Sequence, residues 1–149
     1  LIPDFLGSKD ALGKVCAASV DIISHNLETV PSLYGAVRNG ANYFCSLEVL
    51  RLVKEMNKKV FTKSGLMLGL GETEKEVIGV LRDLRGVNCD FLTLGQYLAP
   101  SAKHYPVKEY VNLEKFAYLE EKAYALGFLK VKSAPYVRSS YMAHDFLNR

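Results

Sequence analysis

The stretch from Thr62 to Thr73 constrains the fold more than any other part of the sequence. Leu66 to Leu70 is a short apolar run broken only by Gly69, and a run of this kind favours a strand covered on both faces. Thr73 and Glu76 have the spacing of a capping box, so a helix is predicted to begin there. A strand, a glycine turn and a helix N-terminus together present backbone N–H groups to a ligand, and phosphate is the first expectation.

Strands and helices alternate along the whole chain. One strand is predicted in the stretch from Thr62 to Thr73, called the central stretch below. The other predicted strands are Leu1-Ile2 and residues 20–23, 91–94 and 128–131. Helices are predicted over residues 9–18, 31–37, 46–56, 74–84 and 112–126. This alternation indicates right-handed βαβ units on a parallel sheet. Four such units favour part of a (β/α) barrel, and a small doubly wound sheet is the alternative.

Composition excludes several classes of protein. The 149 residues are 49% hydrophobic and 23% charged, which is average for a globular domain. The net charge of +3 is too small to predict nucleic-acid binding, and no apolar stretch approaches the roughly 20 residues that span a bilayer.

The chain starts at Leu1, inside a predicted strand and without a methionine, so we expect it to be a C-terminal piece of a longer protein.

Polar side chains follow the predicted strands at their carboxyl ends. In chain order they are Asp4, His25, Asn26, Glu28, Glu72, Gln96 and Tyr97. Ligands bind at this edge in parallel α/β folds, so these residues are expected to meet at one rim. A carboxylate and an amide together can hold ribose hydroxyls, because the carboxylate accepts two O–H bonds and the amide both donates and accepts.

Three other residue types are candidates for chemistry. Lys63 precedes the predicted strand and could form a Schiff base or anchor a carboxylate, although a lysine at a strand's exposed start is commoner. His25 and His104 have no partner at ligand spacing, which argues against a metal site. The three cysteines form no CxxC pair, so three reduced thiols are expected.

Several segments together resemble the lipoyl synthase family. They are Leu1-Ile2-Pro3-Asp4-Phe5, His25-Asn26-Leu27-Glu28-Thr29-Val30, the central stretch, Gly95-Gln96-Tyr97-Leu98 and Val137-Arg138-Ser139-Ser140-Tyr141. They cover nearly the whole chain in the family's order. The resemblance implies an α/β fold: a parallel partial (β/α)6 barrel of the radical S-adenosylmethionine type, of which the chain holds the last four βα units. Residues 1–111 would belong to the barrel, and residues 112–149 to the last helix and a C-terminal extension with the Arg-Ser-Ser-Tyr motif.

The resemblance also implies an activity and its cofactors. Lipoyl synthases insert two sulfur atoms at C6 and C8 of an octanoyl group on a lipoyl carrier domain. They use S-adenosylmethionine and two 4Fe–4S clusters, a radical cluster and an auxiliary one that donates the sulfur. The family's Cys-x3-Cys-x2-Cys motif is not in this sequence, and Cys16, Cys45 and Cys89 have other spacings. We therefore expect the chain alone to be inactive and to hold neither cluster.

The resemblance assigns site residues position by position. Residues implied in binding S-adenosylmethionine are Asn26, Glu28, Leu68, Gly69, Glu72, Gln96 and Tyr97. Gly69 and Gly71 would make room for the adenosine, which replaces phosphate as the expected ligand of the central stretch. Ser140 would ligate the auxiliary cluster, with Ser139 the second choice, although serine is a poor ligand for soft metals.

Partners and location follow from the same resemblance. The expected partners are octanoylated lipoyl carrier domains, such as the E2 subunits of 2-oxoacid dehydrogenases or the glycine-cleavage H protein, and a ferredoxin or flavodoxin as electron donor. The expected location is the cytoplasm of a bacterium, or a mitochondrion or plastid of a eukaryote. The alternatives are a Schiff-base barrel enzyme that uses Lys63 and a non-catalytic nucleotide-binding module.

Overall fold

A computed structural model describes residues 1–139 and 143–147 as alternating helices and strands. In chain order the elements are α1 (Lys9–Ala17), β1 (Ile22–Ser24), α2 (Tyr34–Val37), α3 (Tyr43–Met56), β2 (Phe61–Leu68), α4 (Glu74–Gly86), β3 (Phe91–Gln96), α5 (Leu113–Ala125) and β4 (Lys130–Ser133). Short 3-10 turns lie at Phe5–Gly7, Pro31–Leu33 and Ala143–Phe146. None of the described helices is long and apolar enough to cross a membrane.

The four strands form one parallel sheet in the order β1-β2-β3-β4. The longest register joins β2 to β3, from Lys63 opposite Phe91 to Leu68 opposite Gln96. Helices connect successive strands, as βαβ crossovers require. All four strands therefore direct their carboxyl ends to the same edge, and the predicted parallel α/β fold is confirmed.

Several predicted strand boundaries were wrong. Leu1 and Ile2 lie outside any strand: the Ile2 N–H bonds to Ser24 O at 2.8 Å, but Pro3 has no N–H to extend a ladder. Strand β2 begins at Phe61, five residues before the predicted Leu66. The prediction missed this first half because Thr62, Lys63 and Ser64 are polar, although the structure buries them.

The last strand begins two residues later than predicted because the preceding residues cap α5. Gly127 has a φ of +94°, and its N–H bonds to Tyr124 O at 2.9 Å. The Phe128 N–H bonds back to Ala123 O at 3.3 Å, which completes a Schellman-type helix end. Phe128 therefore belongs to the helix cap and not to β4.

The core lies between the sheet and its helices. The larger buried cluster joins the inward faces of α4 and α5 to β2 and β3, and a smaller cluster lies under α1 and α3. The predicted capping box of α4 is present: Glu76 N–H donates to Thr73 Oγ1 at 3.3 Å, and Thr73 N–H donates to Glu76 Oε2 at 2.8 Å. This packing holds the carboxyl edge of the sheet in place.

Candidate functional site at the carboxyl edge of the sheet

The segment after β1 supplies a buried amide and a carboxylate. Asn26 is 5% exposed, and its Nδ2 donates to Glu28 Oε1 at 3.1 Å. Asn26 Oδ1 is buried and has no hydrogen-bond partner among the described residues. An acceptor that is buried without a donor costs free energy, so it marks a position where a ligand donor is expected.

His25 fixes the start of this segment. Its Nδ1 lies 3.0 Å from Ile2 O and its Nε2 lies 3.0 Å from Ser46 Oγ. A backbone carbonyl only accepts, so Nδ1 carries the proton and Nε2 accepts from the Ser46 hydroxyl. Burial lowers the pKa of His25, which agrees with a neutral ring that has a structural role.

The polar edge opens into a cavity of about 620 Å³, within the range of pockets that hold small molecules. It is lined by Asn26, Glu28, Ala36, Val37, Gly65, Leu66, Met67, Thr93, Gly95, Gln96, Tyr97, Leu98, Pro100, His104, Tyr105, Val137, Arg138 and Ser139. Four of the residues predicted to bind the cofactor are in this set: Asn26, Glu28, Gln96 and Tyr97. Leu68, Gly69 and Glu72 are not, and their assignment stays a prediction.

Glu72 and Gly69 have partners within their own turn. The Glu72 carboxylate accepts from Gly69 N–H at 2.7 Å and from Leu70 N–H at 2.9 Å. Gly69 has a φ of +92°, and a Cβ at this position would lie 2.2 Å from Glu109 O. The glycine is therefore required by the close approach of the segment around Glu109.

Gln96 joins the same packing from the end of β3. Its Nε2 donates to Tyr97 O and to Glu109 O at 2.9 and 3.0 Å, and its Oε1 accepts from Val111 N–H at 2.9 Å. The Tyr97 hydroxyl donates to Tyr105 O at 2.7 Å. These bonds shape the cavity wall by tying the loop before α5 to the sheet.

The floor of the cavity contains residues that sequence reasoning missed. A Cβ at Gly65 would lie 2.6 Å from Thr93 Oγ1 and 3.2 Å from Asn26 Oδ1, so only glycine fits between these side chains. At Gly95 a Cβ would lie 2.2 Å from Val137 O. A glycine inside a strand is a signal of such close approach, and Gly65 and Gly95 could have been found by it.

A lysine at this place in a sequence is most often at the exposed start of a strand, but Lys63 is not. It lies within β2 and is 2% exposed. Its ammonium donates to Ser139 O and lies 4.9 Å from the centroid of the Phe146 ring. Burial, with Lys132 nearby, lowers the pKa of Lys63 to about 8. The bond to Ser139 holds the C-terminal segment against the sheet, and Lys63 is not among the cavity-lining residues.

The predicted iron ligand Ser140 lies outside the described residues. Its neighbour Ser139 lines the cavity. Arg138 lines it as well, and its Nη1 donates to Val137 O at 2.8 Å. The described part of the Arg-Ser-Ser-Tyr motif is therefore one wall of the cavity.

The cysteines are all free, with Cys16 and Cys89 buried and Cys45 partly buried. Burial raises the pKa of each thiol, and that of Cys89 reaches about 12. No group of three or more His, Cys, Asp or Glu residues that could hold a metal ion occurs in the described segments.

Comparison with known proteins agrees with the resemblance to lipoyl synthases. The lipoyl synthase of Alkaliphilus metalliredigens (strain QYMF) is 55% identical over 149 residues, which cover all of this chain and 51% of that protein. The lipoyl synthase of Geobacter sulfurreducens (strain ATCC 51573 / DSM 12127 / PCA) is 60% identical over 146 residues, 98% of this chain and 48% of that protein. The chain thus spans about half the length of the curated relatives it matches.

A solved structure supports the fold. The crystal structure of methylornithine synthase matches with a TM-score of 0.61 at 16% identity, covering 89% of this chain and 46% of that one. At this identity the match shows the fold alone, which agrees with a parallel partial barrel.

The similarity to lipoyl synthases implies S-adenosylmethionine and a 4Fe–4S cluster as cofactors, and the described residues fit the first but not the second. The unpaired Asn26 Oδ1 and the Glu28 carboxylate can accept bonds from ribose hydroxyls, and Gly65 lines the same cavity beside them. In the described segments the three cysteines are not part of any group of ligands of the kind that a cluster needs.

The match to a protein-family model covers more than half of the sequence. The model is that of the radical SAM superfamily, and it matches residues 1–84 of the 149. That range includes β1, β2 and the segment that carries Asn26 and Glu28. The chain belongs to the radical SAM superfamily.

Proposed function

We propose that this chain is part of a lipoyl synthase, which inserts two sulfur atoms at C6 and C8 of an octanoyl group on a lipoyl carrier domain. The observation that carries the proposal is the identity of 55% and 60% to the two lipoyl synthases compared above, over nearly all of the chain. The structural support is the cavity at the carboxyl edge of the sheet, with its unpaired amide oxygen at Asn26.

Different cavity residues bind S-adenosylmethionine and shape the space that it occupies. Asn26 and Glu28 accept from the ribose hydroxyls or the ammonium group of the ligand, and their mutual 3.1 Å bond orients both side chains. Gly65 and Gly95 keep the floor low, and the wall that includes Tyr97 limits access of water. S-adenosylmethionine supplies the hydrogen-abstracting chemistry of the superfamily when it is bound.

The finer cofactor proposal is a pair of 4Fe–4S clusters, one radical and one auxiliary, with Ser140 as a ligand of the auxiliary cluster. The described residues do not fit a cluster, so the cysteine ligands have to come from outside this sequence. Reconstitution of the 149-residue chain with iron and sulfide should give no stoichiometric 4Fe–4S absorbance. A full signal would overturn this part of the proposal.

The partners are proposed to be octanoylated carrier domains and a ferredoxin or flavodoxin that supplies electrons. The proposed location is the cytoplasm in a bacterium, or a mitochondrion or plastid in a eukaryote. No membrane and no nucleic-acid partner is proposed. These proposals rest on the similarity to lipoyl synthases and depend on the proposed activity. If the activity test fails, the proposed partners and location are abandoned as well.

The Schiff-base alternative has one observation in its favour, the pKa of about 8 at Lys63, since a neutral amine is the nucleophile. The geometry argues against it, because Lys63 Nζ donates to Ser139 O and Lys63 is not itself among the residues that line the cavity. Borohydride trapping of a carbonyl compound on Lys63 would favour this alternative.

The test is a chimera in which this chain replaces the matching segment of the Geobacter sulfurreducens lipoyl synthase. With an octanoylated carrier domain, S-adenosylmethionine and a reductant, the product mass should show two added sulfur atoms. Glu28→Gln should abolish the product, whereas Arg51→Met, which changes only an exposed arginine on α3, should not. A folded, cluster-loaded chimera that binds S-adenosylmethionine without forming product would contradict the proposal and favour the nucleotide-binding module.

A further inference from the structure

The turn that carries Glu28 is strained. Glu28 has a φ of +66°, which is unfavourable for a residue with a side chain. Thr29 N–H donates to Leu27 O at 2.8 Å, which closes a three-residue turn centred on Glu28. Such γ-turns with a positive central φ are rare, and they persist only where the surroundings hold them.

Two bonds to β2 hold the turn on its inner side. Glu28 N–H donates to Gly65 O at 3.0 Å, and Met67 N–H donates to Glu28 O at 2.8 Å. They form an isolated parallel bridge between Glu28 and Leu66. This bridge fixes the backbone of Glu28 beside the cavity floor.

Arg38 and Tyr34 hold the turn on its outer side. The Tyr34 hydroxyl donates to Leu27 O at 2.8 Å, so that the carbonyl closing the γ-turn has a second donor. Arg38 Nη1 lies 3.3 Å from the same oxygen and 3.2 Å from Asn26 O. The guanidinium also lies 3.0 Å from the Tyr34 hydroxyl and 5.3 Å from the centroid of its ring.

We infer that Arg38, together with Tyr34, is a positioning residue that holds the strained Asn26–Glu28 turn in the conformation that presents both side chains to S-adenosylmethionine. Arg38 is not among the residues that line the cavity of about 620 Å³, although it lines a second pocket with Asn26 and Glu28. Its contacts with residues 26–28 are to backbone oxygens, and through these it acts on the turn. Each of the two carbonyls it contacts belongs to a residue at or next to the ligand-facing pair. A charged donor on these oxygens is stronger than a neutral one.

The inference rests on the proposed function for the identity of the ligand. Its structural part can be measured without any ligand, by hydrogen exchange at the amides of Glu28 and Thr29. Arg38→Met should speed exchange at both about tenfold, because the turn opens more often, and should leave the amides of β3 unchanged. Unchanged exchange at Glu28 and Thr29 would overturn the inference.

The binding part uses S-adenosylmethionine as the probe, in equilibrium dialysis against the 149-residue chain. Arg38→Met should raise the Kd about tenfold, Arg38→Lys should restore part of the loss because it returns a charged donor, and Arg51→Met should match the wild type. If Arg38→Met fails to fold, Tyr34→Phe, which removes only the hydroxyl on Leu27 O, should raise the Kd by a smaller factor.

The outcomes separate the two proposals. If the wild type and folded Arg38→Met bind S-adenosylmethionine with the same Kd, the positioning role is overturned and the cofactor assignment stays intact. Absence of binding to the wild type counts against the cavity as a self-sufficient cofactor site, and the exchange rates at Glu28 and Thr29 then still decide whether Arg38 holds the turn.

Discussion

Two turns at the same edge of the sheet end in a carboxylate, and they use it in opposite ways. After β1, Glu28 follows a buried amide whose oxygen has no partner among the described residues, and both side chains line the cavity. After β2, the Glu72 carboxylate accepts hydrogen bonds from the N–H groups of Gly69 and Leu70. A satisfied carboxylate stabilises the fold, whereas an unsatisfied acceptor beside a carboxylate is suited to bind a ligand.

The strain in the two turns follows the same division. In the β2 turn the positive φ values fall on Gly69 and Gly71, where they cost little. In the β1 turn the positive φ falls on Glu28 and has to be held by Arg38, Tyr34 and the bridge to β2. Strain on a non-glycine residue at a cavity is a reason to infer a function for it.

The largest effect on stability should come from the satisfied turn. Glu72→Ala leaves two buried backbone N–H groups without their charged acceptor, and each such bond is worth about 1.5–3 kcal/mol. We expect the free energy of unfolding to fall by about 3 kcal/mol, measured in urea. Glu28→Ala is the matched variant and should cost under about 1 kcal/mol; equal losses would remove the contrast between the two turns.

Gly65→Ala should damage both stability and ligand binding. The added methyl would lie 2.6 Å from Thr93 Oγ1 and 3.2 Å from Asn26 Oδ1, and overpacking of this kind costs about 1–3 kcal/mol. Thermal unfolding and S-adenosylmethionine titration measure the two losses. Gly79→Ala on α4 is the control, because a Cβ there meets nothing within 4 Å; this variant should be neutral or stabilising.

Asn26→Ala should separate ligand binding from stability. The substitution removes a buried oxygen that has no partner, which offsets the lost bond to Glu28. We expect a change in unfolding free energy within about 1 kcal/mol, with S-adenosylmethionine binding weakened at least tenfold. A large loss of stability would show that Asn26 has a structural role like that of Glu72.

The smallest effect concerns pH and the helix that follows the β2 turn. Hydrogen bonds from Ser32 and Thr73 lower the pKa of Glu76 to about 2. A carboxylate with a lowered folded-state pKa contributes stability above its unfolded value near 4.5, and this contribution is lost as pH falls toward 2. Glu76→Gln should therefore flatten the stability profile between these limits in acid unfolding; a parallel profile would contradict the assignment.

The sequence predicted the parallel fold and the capping box because these depend on pattern along the chain, and four of the seven predicted rim residues, Asn26, Glu28, Gln96 and Tyr97, line the cavity. It did not predict the burial of Lys63, since a charged residue inside a strand has no periodic signal and its position depends on the C-terminal segment around Ser139 and Phe146. Nor did it separate Glu28 from Glu72. The two carboxylates look alike in sequence, and only the hydrogen bonds of the folded backbone distinguish them.

The most direct test of the central claim is a titration of the 15N-labelled chain with S-adenosylmethionine, followed by NMR. The account predicts that the largest amide shifts occur at Asn26, Glu28, Gly65 and Gly95, with those of Leu70 and Glu72 small. Shifts concentrated at Leu70 and Glu72, with Asn26 and Glu28 unaffected, would contradict it.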